Sequence, residues 1–214
     1  DVPADDRTRA DMRAMRREGM AEGAFGLSTG LDYPPGSYAT SEELANLTAA
    51  AAADGGFYHT HVRYELGDRY LDPFREALTI GRTGPGPVHL THFYHRRNYP
   101  GGHEPMLGLV DDARASGQDV TFDTYPYEWA STRLLIQLPQ WVQAGGPGPL
   151  KERLADGGIR ARLREEMTRH DPVHGAPLTW SDLRLGAFFS DANQQWEGRT
   201  LAEVSLETDR HPID

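Results

Sequence analysis

The chain has 214 residues, 38% of them hydrophobic and 25% charged, which is the composition of a folded globular protein and excludes a largely disordered one. Acidic residues outnumber basic ones 32 to 22, for a net charge of −10, and no basic run interleaved with aromatics follows a phosphate backbone, so a nucleic-acid partner is not expected. There is no cysteine, which excludes disulfides and thiolate ligands within the chain, and no uninterrupted apolar stretch of about 18 residues, so no membrane span is expected; the expectation is a soluble, cytoplasmic protein.

A complete eight-unit α/β barrel usually needs roughly 250 residues, somewhat more than this chain has. Met12 is the first methionine, and a preceding segment is therefore expected.

In chain order, Asp6 to Glu22 carries Met12, Met15 and Met20 among charged residues and reads as an amphipathic helix. The apolar run from Ala24 to Ser28 reads as a buried strand. Tyr33-Pro34-Pro35-Gly36 cannot hold regular structure, because adjacent prolines lack amide donors. Thr40 then caps a helix with Leu44, Leu47 and Ala51 on one side, which stops at Asp54-Gly55-Gly56. Gly56 to His61 reads as a strand, Leu71 to Arg82 as a helix, Pro87 to His92 as a strand, Met106 to Ser116 as a helix and Val120 to Asp123 as a strand. Strands and helices alternating at roughly 30-residue spacing signal parallel βα units. No Gly-x-Gly-x-x-Gly follows a strand, which lowers the case for an open dinucleotide-binding sheet. After about residue 132 the rhythm breaks, so residues 1–132 are expected to form a partial (β/α) barrel and 133–214 an α-rich insertion or subdomain. Within the latter, a charged helical run from Leu150 to Arg169, a strand-like piece from Leu183 to Ser190 and a helix from near Thr200 are expected.

His59 and His61, two apart in a strand, share a face with Phe57. His92 follows Val88 and Leu90 with the same period at the end of the next strand, the end at which α/β barrels gather their active sites. Adjacent parallel strands lie about 4.8 Å apart, so His61 and His92 could both ligate one Zn²⁺ at about 2.0–2.1 Å. A strand-end histidine can equally be a hydrogen-bonded structural group. Tyr125, just past the last strand, could bind a carboxylate or simply cover the sheet end. Arg63 could fork onto a carboxylate or pair with Glu65 on the surface. No Gly-x-Ser-x-Gly elbow or phosphate loop is present, and a thiol nucleophile is excluded by composition.

Several blocks together resemble one family. Gly23 to Leu31 followed by Tyr33-Pro34-Pro35-Gly36, Tyr58 to Glu65, Thr91-His92, and Asp123-Thr124-Tyr125-Pro126-Tyr127 with Ser131-Thr132 are similar, in order and spacing, to the N-acyl-D-amino-acid deacylases of the amidohydrolase superfamily. That resemblance implies strands four to seven of a (β/α)₈ barrel, with zinc held by His61 and His92. It implies hydrolysis of the amide bond of N-acyl-D-amino acids to a D-amino acid and a carboxylate by a zinc-activated water. Tyr125 and Ser131 match positions that hold the substrate α-carboxylate, and Arg63 matches a residue near that pocket.

The sequence departs from the family in two places: Tyr94 stands where the family usually has a lysine, and His59 where it tends to have a small residue. The family's strand-one His-x-His, its cysteine ligand and its strand-eight general-base aspartate have no counterpart; Asp191 is a conceivable substitute for the last. The small-molecule substrate is thus expected to be met in an assembly that includes the remaining barrel segments or another chain. Two other functions stay open, a related cyclic-amide amidohydrolase of the dihydroorotase or hydantoinase kind and a catalytically inactive binding or assembly module.

Overall fold

The computed structural model describes residues 4–64, 69–96, 99, 101–169 and 179–214. Helix α1 (Asp6–Ala21) leads into strand β1 (Gly26–Gly30), and three βα repeats follow: α2 (Ser41–Ala53) to β2 (Phe57–His61), α3 (Asp72–Gly81) to β3 (Val88–Leu90), and α4 (Glu104–Ala115) to β4 (Val120–Phe122). The strands form one parallel sheet in sequential order, as the alternation of elements requires, because a parallel neighbour can be reached only by a crossover.

Local chemistry sets the helix starts. The Asp5 side chain accepts from the Thr8 amide at 2.7 Å and the Thr40 hydroxyl from the Glu43 amide at 3.2 Å, each satisfying a donor that the first turn leaves unpaired. The α1 helix forms where expected but buries no residue completely. Met15 is exposed, and the helix is held beside α2 partly by the Arg16–Asp54 ion pair.

The register divides the sheet into two chemically different faces. Leu27, Tyr58, Val88 and Val120 form one cross-strand row, and Thr29, Thr60, Leu90 and Phe122 the next row on the same face. This face meets the helices, and with Phe74, Leu78, Ile80, Met106 and Val110 it makes the main core. The opposite face carries the row Ser28, His59, His89 and Thr121, with both histidines half-buried and the flanking hydroxyl residues exposed. An open piece of barrel is expected to bare an apolar face; the uncovered face here is polar.

Beyond β4 a second, smaller cluster forms around Val142, Leu150 and Leu163. It is built by α5 (Gln140–Gln143), α6 (Pro147–Ala155) and α7 (Gly157–Arg169). The expected single helical run is two helices, because Asp156 leaves helical geometry and its carboxylate caps α7 through the Ile159 amide. Leu183 to Ser190 forms no strand, only one antiparallel bridge from Arg184 to Thr200. Among the described residues two α-helices remain, α8 (Asp191–Gln194) and α9 (Leu201–Thr208), and α9 starts in a Thr200–Glu203 capping box. Among the described residues no helix is long and apolar enough to cross a membrane.

Candidate metal centre

Four of the residues singled out in the sequence, His61, His92, Tyr94 and Tyr125, collect where the strands end. His61 is the last residue of β2, and its Nδ1 lies 2.7 Å from Nε2 of His92. Asp32, two residues past β1, reaches Nε2 of His61 at 3.0 Å with one oxygen and accepts from the Tyr64 amide at 2.8 Å with the other. The Tyr64 hydroxyl lies 2.6 Å from Nδ1 of His92. The result is a continuous chain, Asp32, His61, His92, Tyr64.

His92 reaches this position differently from the way its spacing implies. Val88 and Leu90 face the helices, so a strand continued to residue 92 would turn His92 into the core. Instead β3 stops at Leu90, and His92 adopts φ 38°, a left-handed conformation uncommon outside glycine. Asp123 holds the turn, taking the His92 amide on its carboxylate and the Phe93 amide on its carbonyl. The β3 partner of His59 is therefore His89.

Burial, then the neighbouring His61, lowers the His92 pKa to about 4, so the ring is neutral at ordinary pH. Burial raises the Tyr64 phenol well above its usual value, which keeps it protonated. A consistent proton placement has His61 donating from Nε2 to Asp32, His92 donating from Nε2 to His61, and Tyr64 donating to Nδ1 of His92.

The donor set fits a divalent metal ion, such as zinc, between the rings. Two ligands at about 2.0–2.1 Å in a tetrahedral site stand about 3.3 Å apart, so the rings need only separate by a few tenths of an ångström. Each outer ring nitrogen already has an anchor, Asp32 for His61 and Tyr64 for His92, the support that metal-bound imidazoles require. Loading would move the His92 proton to Nδ1, making Tyr64 its acceptor.

Around the pair stand aromatic rings. Tyr33 lies 5.1 Å from the His61 ring. Tyr125 stacks on His92 at 5.4 Å and 3°, and Tyr94 packs against both His92 and Tyr125. The Arg96 guanidinium covers the Tyr64 ring at 3.8 Å and lies 5.6 Å from that of Tyr94, so a guanidinium borders the site on the Tyr94 side. Ser131 lines a neighbouring cleft with Tyr33 and Thr132, and Tyr33 and Thr132 share a hydrogen bond of 2.7 Å.

Arg63 corrects an expectation. Its guanidinium pairs with Glu76 at 2.9 Å and donates to the Ser37 and Ala39 carbonyls. It therefore clamps the loop after β1 onto α3, and its fork is spent on the protein's own groups instead of a substrate. Glu65, its other expected partner, lies outside the described residues. Asp191 opens the short α8, exposed and bonded by Gln194. The sequence reading missed the roles of Asp32, Tyr64, Asp123 and Arg96; all lie within about six residues of a strand's C-terminal end, which was the available signal.

No family model matches the chain. It is 40% identical over 133 residues to a D-aminoacylase of Alcaligenes xylosoxydans xylosoxydans, a match covering 61% of this chain and 27% of the relative. It is also 40% identical over 140 residues to an N-acyl-D-glutamate deacylase of that organism, covering 62% and 28%. Among solved structures, the N-acyl-D-glutamate deacylase of Bordetella bronchiseptica, complexed with zinc and a phosphonate mimic of the tetrahedral intermediate, superposes with a TM-score of 0.70 at 25% identity, over 99% of this chain and 36% of that one. A D-aminoacylase described as defining a novel subset of amidohydrolases gives 0.65 at 25% identity, over 100% and 36%. The chain thus spans just over a quarter of the curated relatives it matches and about a third of the solved structures. By sequence over some three-fifths of its length and by fold over nearly all of it, the chain is similar to D-aminoacylase and N-acyl-D-glutamate deacylase.

Proposed function

We propose that the chain is strands four to seven of a (β/α)₈ barrel belonging to a zinc-dependent deacylase of N-acyl-D-amino acids. The observation that supports this most is the facing pair of nitrogens, Nδ1 of His61 and Nε2 of His92, 2.7 Å apart, with both outer nitrogens anchored. His61 and His92 would hold the zinc, which when bound lowers the pKa of its water to about 7 and polarises a carbonyl.

The remaining roles belong to the chain's own side chains. Asp32 and Tyr64 fix the two rings, and the low pKa of His92 keeps one of its ring nitrogens free of a proton. Tyr125 and Ser131 donate to the substrate α-carboxylate. Tyr94 walls the pocket, with the Arg96 guanidinium packed beside its ring. The general-base aspartate is expected from outside this chain.

The test is hydrolysis by the full-length protein that contains the chain, reconstituted with Zn²⁺ and offered N-acetyl-D-amino acids, their L-enantiomers and cyclic imides. Turnover of the D-series, lost in His61→Ala and in His92→Ala, is the expected result. Turnover of cyclic imides alone would assign the site to a cyclic-amide hydrolase, and no turnover by a folded, zinc-loaded protein would leave the non-catalytic reading standing.

A further inference from the structure

One step down the polar face of the sheet from His61 and His92 is a second cluster that the deacylase reading does not use. His59 on β2 and His89 on β3 are cross-strand partners, with ring centroids 5.1 Å apart. Asp123, one residue past β4, brings Oδ2 to 3.0 Å from Nε2 of His89. One ring nitrogen of each histidine and one oxygen of Asp123 all lie within 4.8 Å of one another. Among the described residues this is the one group of three or more such side chains so placed.

We propose that His59, His89 and Asp123 bind a second divalent transition-metal ion, separate from the one assigned to His61 and His92. Two neutral imidazoles and a carboxylate are borderline ligands suited to Zn²⁺, Co²⁺ or Fe²⁺. Ligands sharing one such ion stand about 3 Å apart, which the His89–Asp123 separation already meets. Each ligand is also oriented from behind. Thr121 Oγ1 lies 2.7 Å from Nδ1 of His89, leaving Nε2 to face Asp123. Ser28 Oγ lies 3.4 Å from Nδ1 of His59, and Asp123 is held at Oδ1 by the His92 amide and at Oδ2, the oxygen facing His89, by the Thr91 hydroxyl at 2.9 Å. Hydrogen bonds that orient ligating side chains are what keep a metal site in shape. With three protein ligands, the ion keeps at least one position open to solvent or a small molecule.

The two sites share one part. Oδ1 of Asp123 accepts the His92 amide while Oδ2 faces His89, so an ion at the deeper site pulls on the carboxylate that fixes the turn carrying His92. The second site rests on His59 and His89, which the deacylase assignment leaves unassigned, and each site can fail without the other.

The experiment is a Co²⁺ titration of the chelator-stripped, full-length protein, reading visible d–d absorption and bound metal per chain. In the His61→Ala/His92→Ala variant, one equivalent is expected to bind still, and adding His59→Gln and His89→Gln should weaken it by about 100-fold. Should the multiple variants fail to fold by circular dichroism, His59→Gln in the otherwise wild-type protein gives the same answer, because its Co²⁺ count should drop by one. A folded His61→Ala/His92→Ala protein that binds no Co²⁺, or a His59→Gln protein with an unchanged count and affinity, overturns the second site.

Discussion

Asp32 shows how much of the candidate centre rests on residues with no ligand role of their own. It touches His61 through one oxygen and the Tyr64 amide through the other, so it sets both the ring's tautomer and the path of the chain beyond β2. Removing such a support typically weakens metal binding about 10–100-fold. Asp32→Asn is therefore expected to lower zinc affinity in that range while the fold persists; competition against a chelator of known affinity measures it, and an unchanged constant would make Asp32 merely structural.

His92 makes a pH-dependent contribution whose sign follows from its lowered pKa. In the folded, metal-free protein the ring stays neutral down to about pH 4, while in the unfolded chain it takes a proton near the ordinary value of about 6.5. Between these values the unfolded chain binds more protons, so stability is fully present above about pH 6.5 and falls as pH is lowered toward 4. Urea unfolding midpoints of wild type and His92→Gln across that window should converge as the pH falls, and a constant gap would contradict the assignment.

Much of the placement at this scale was legible from the sequence, because His61 ends a strand, His92, Tyr94 and Tyr125 follow strands closely, and α/β folds gather functional residues there. What sequence period could not show is that His92 leaves the strand. The same alternation that puts His59 and His61 on the polar face puts residue 92 on the core face, and only the turn held by Asp123, a contact between residues 31 apart, brings it round.

The elements themselves were legible where capping and periodicity agreed, as at Thr40 for α2 and the buried Phe74, Leu78 and Ile80 of α3. They were less so where neighbours decide. Strand β1 begins at Gly26 instead of Ala24 because its pairing with β2 starts there, and β3 ends two residues early for the reason just given. Gly81 illustrates packing that pattern alone cannot reveal: a Cβ added there would lie 2.0 Å from Cγ2 of Val88, so α3 sits on β3 at a distance that excludes any side chain. Gly81→Ala should destabilise the protein by about 1–3 kcal/mol despite alanine's better helix propensity. Thermal unfolding checks this, and a raised melting temperature would show that the helix simply moves aside.

For the whole molecule, the sheet order leaves β1 and β4 with one neighbour each among the described residues, and the row of His59 and His89 is only half-buried. Unpaired edges of a parallel sheet invite pairing with further strands, and all-parallel sheets are ordinarily covered on both faces. The 214-residue chain made alone is therefore expected to self-associate in sedimentation velocity, and a monodisperse monomer with a cooperative melt would show that it needs no additional strands.

The central claim is that His61 and His92 together hold one zinc ion. Its most direct test is the zinc retained after exhaustive dialysis of the full-length protein, measured by elemental analysis beside a folded His61→Ala/His92→Ala variant. The account predicts that the variant holds one equivalent less than wild type, and equal zinc in the two proteins would contradict it.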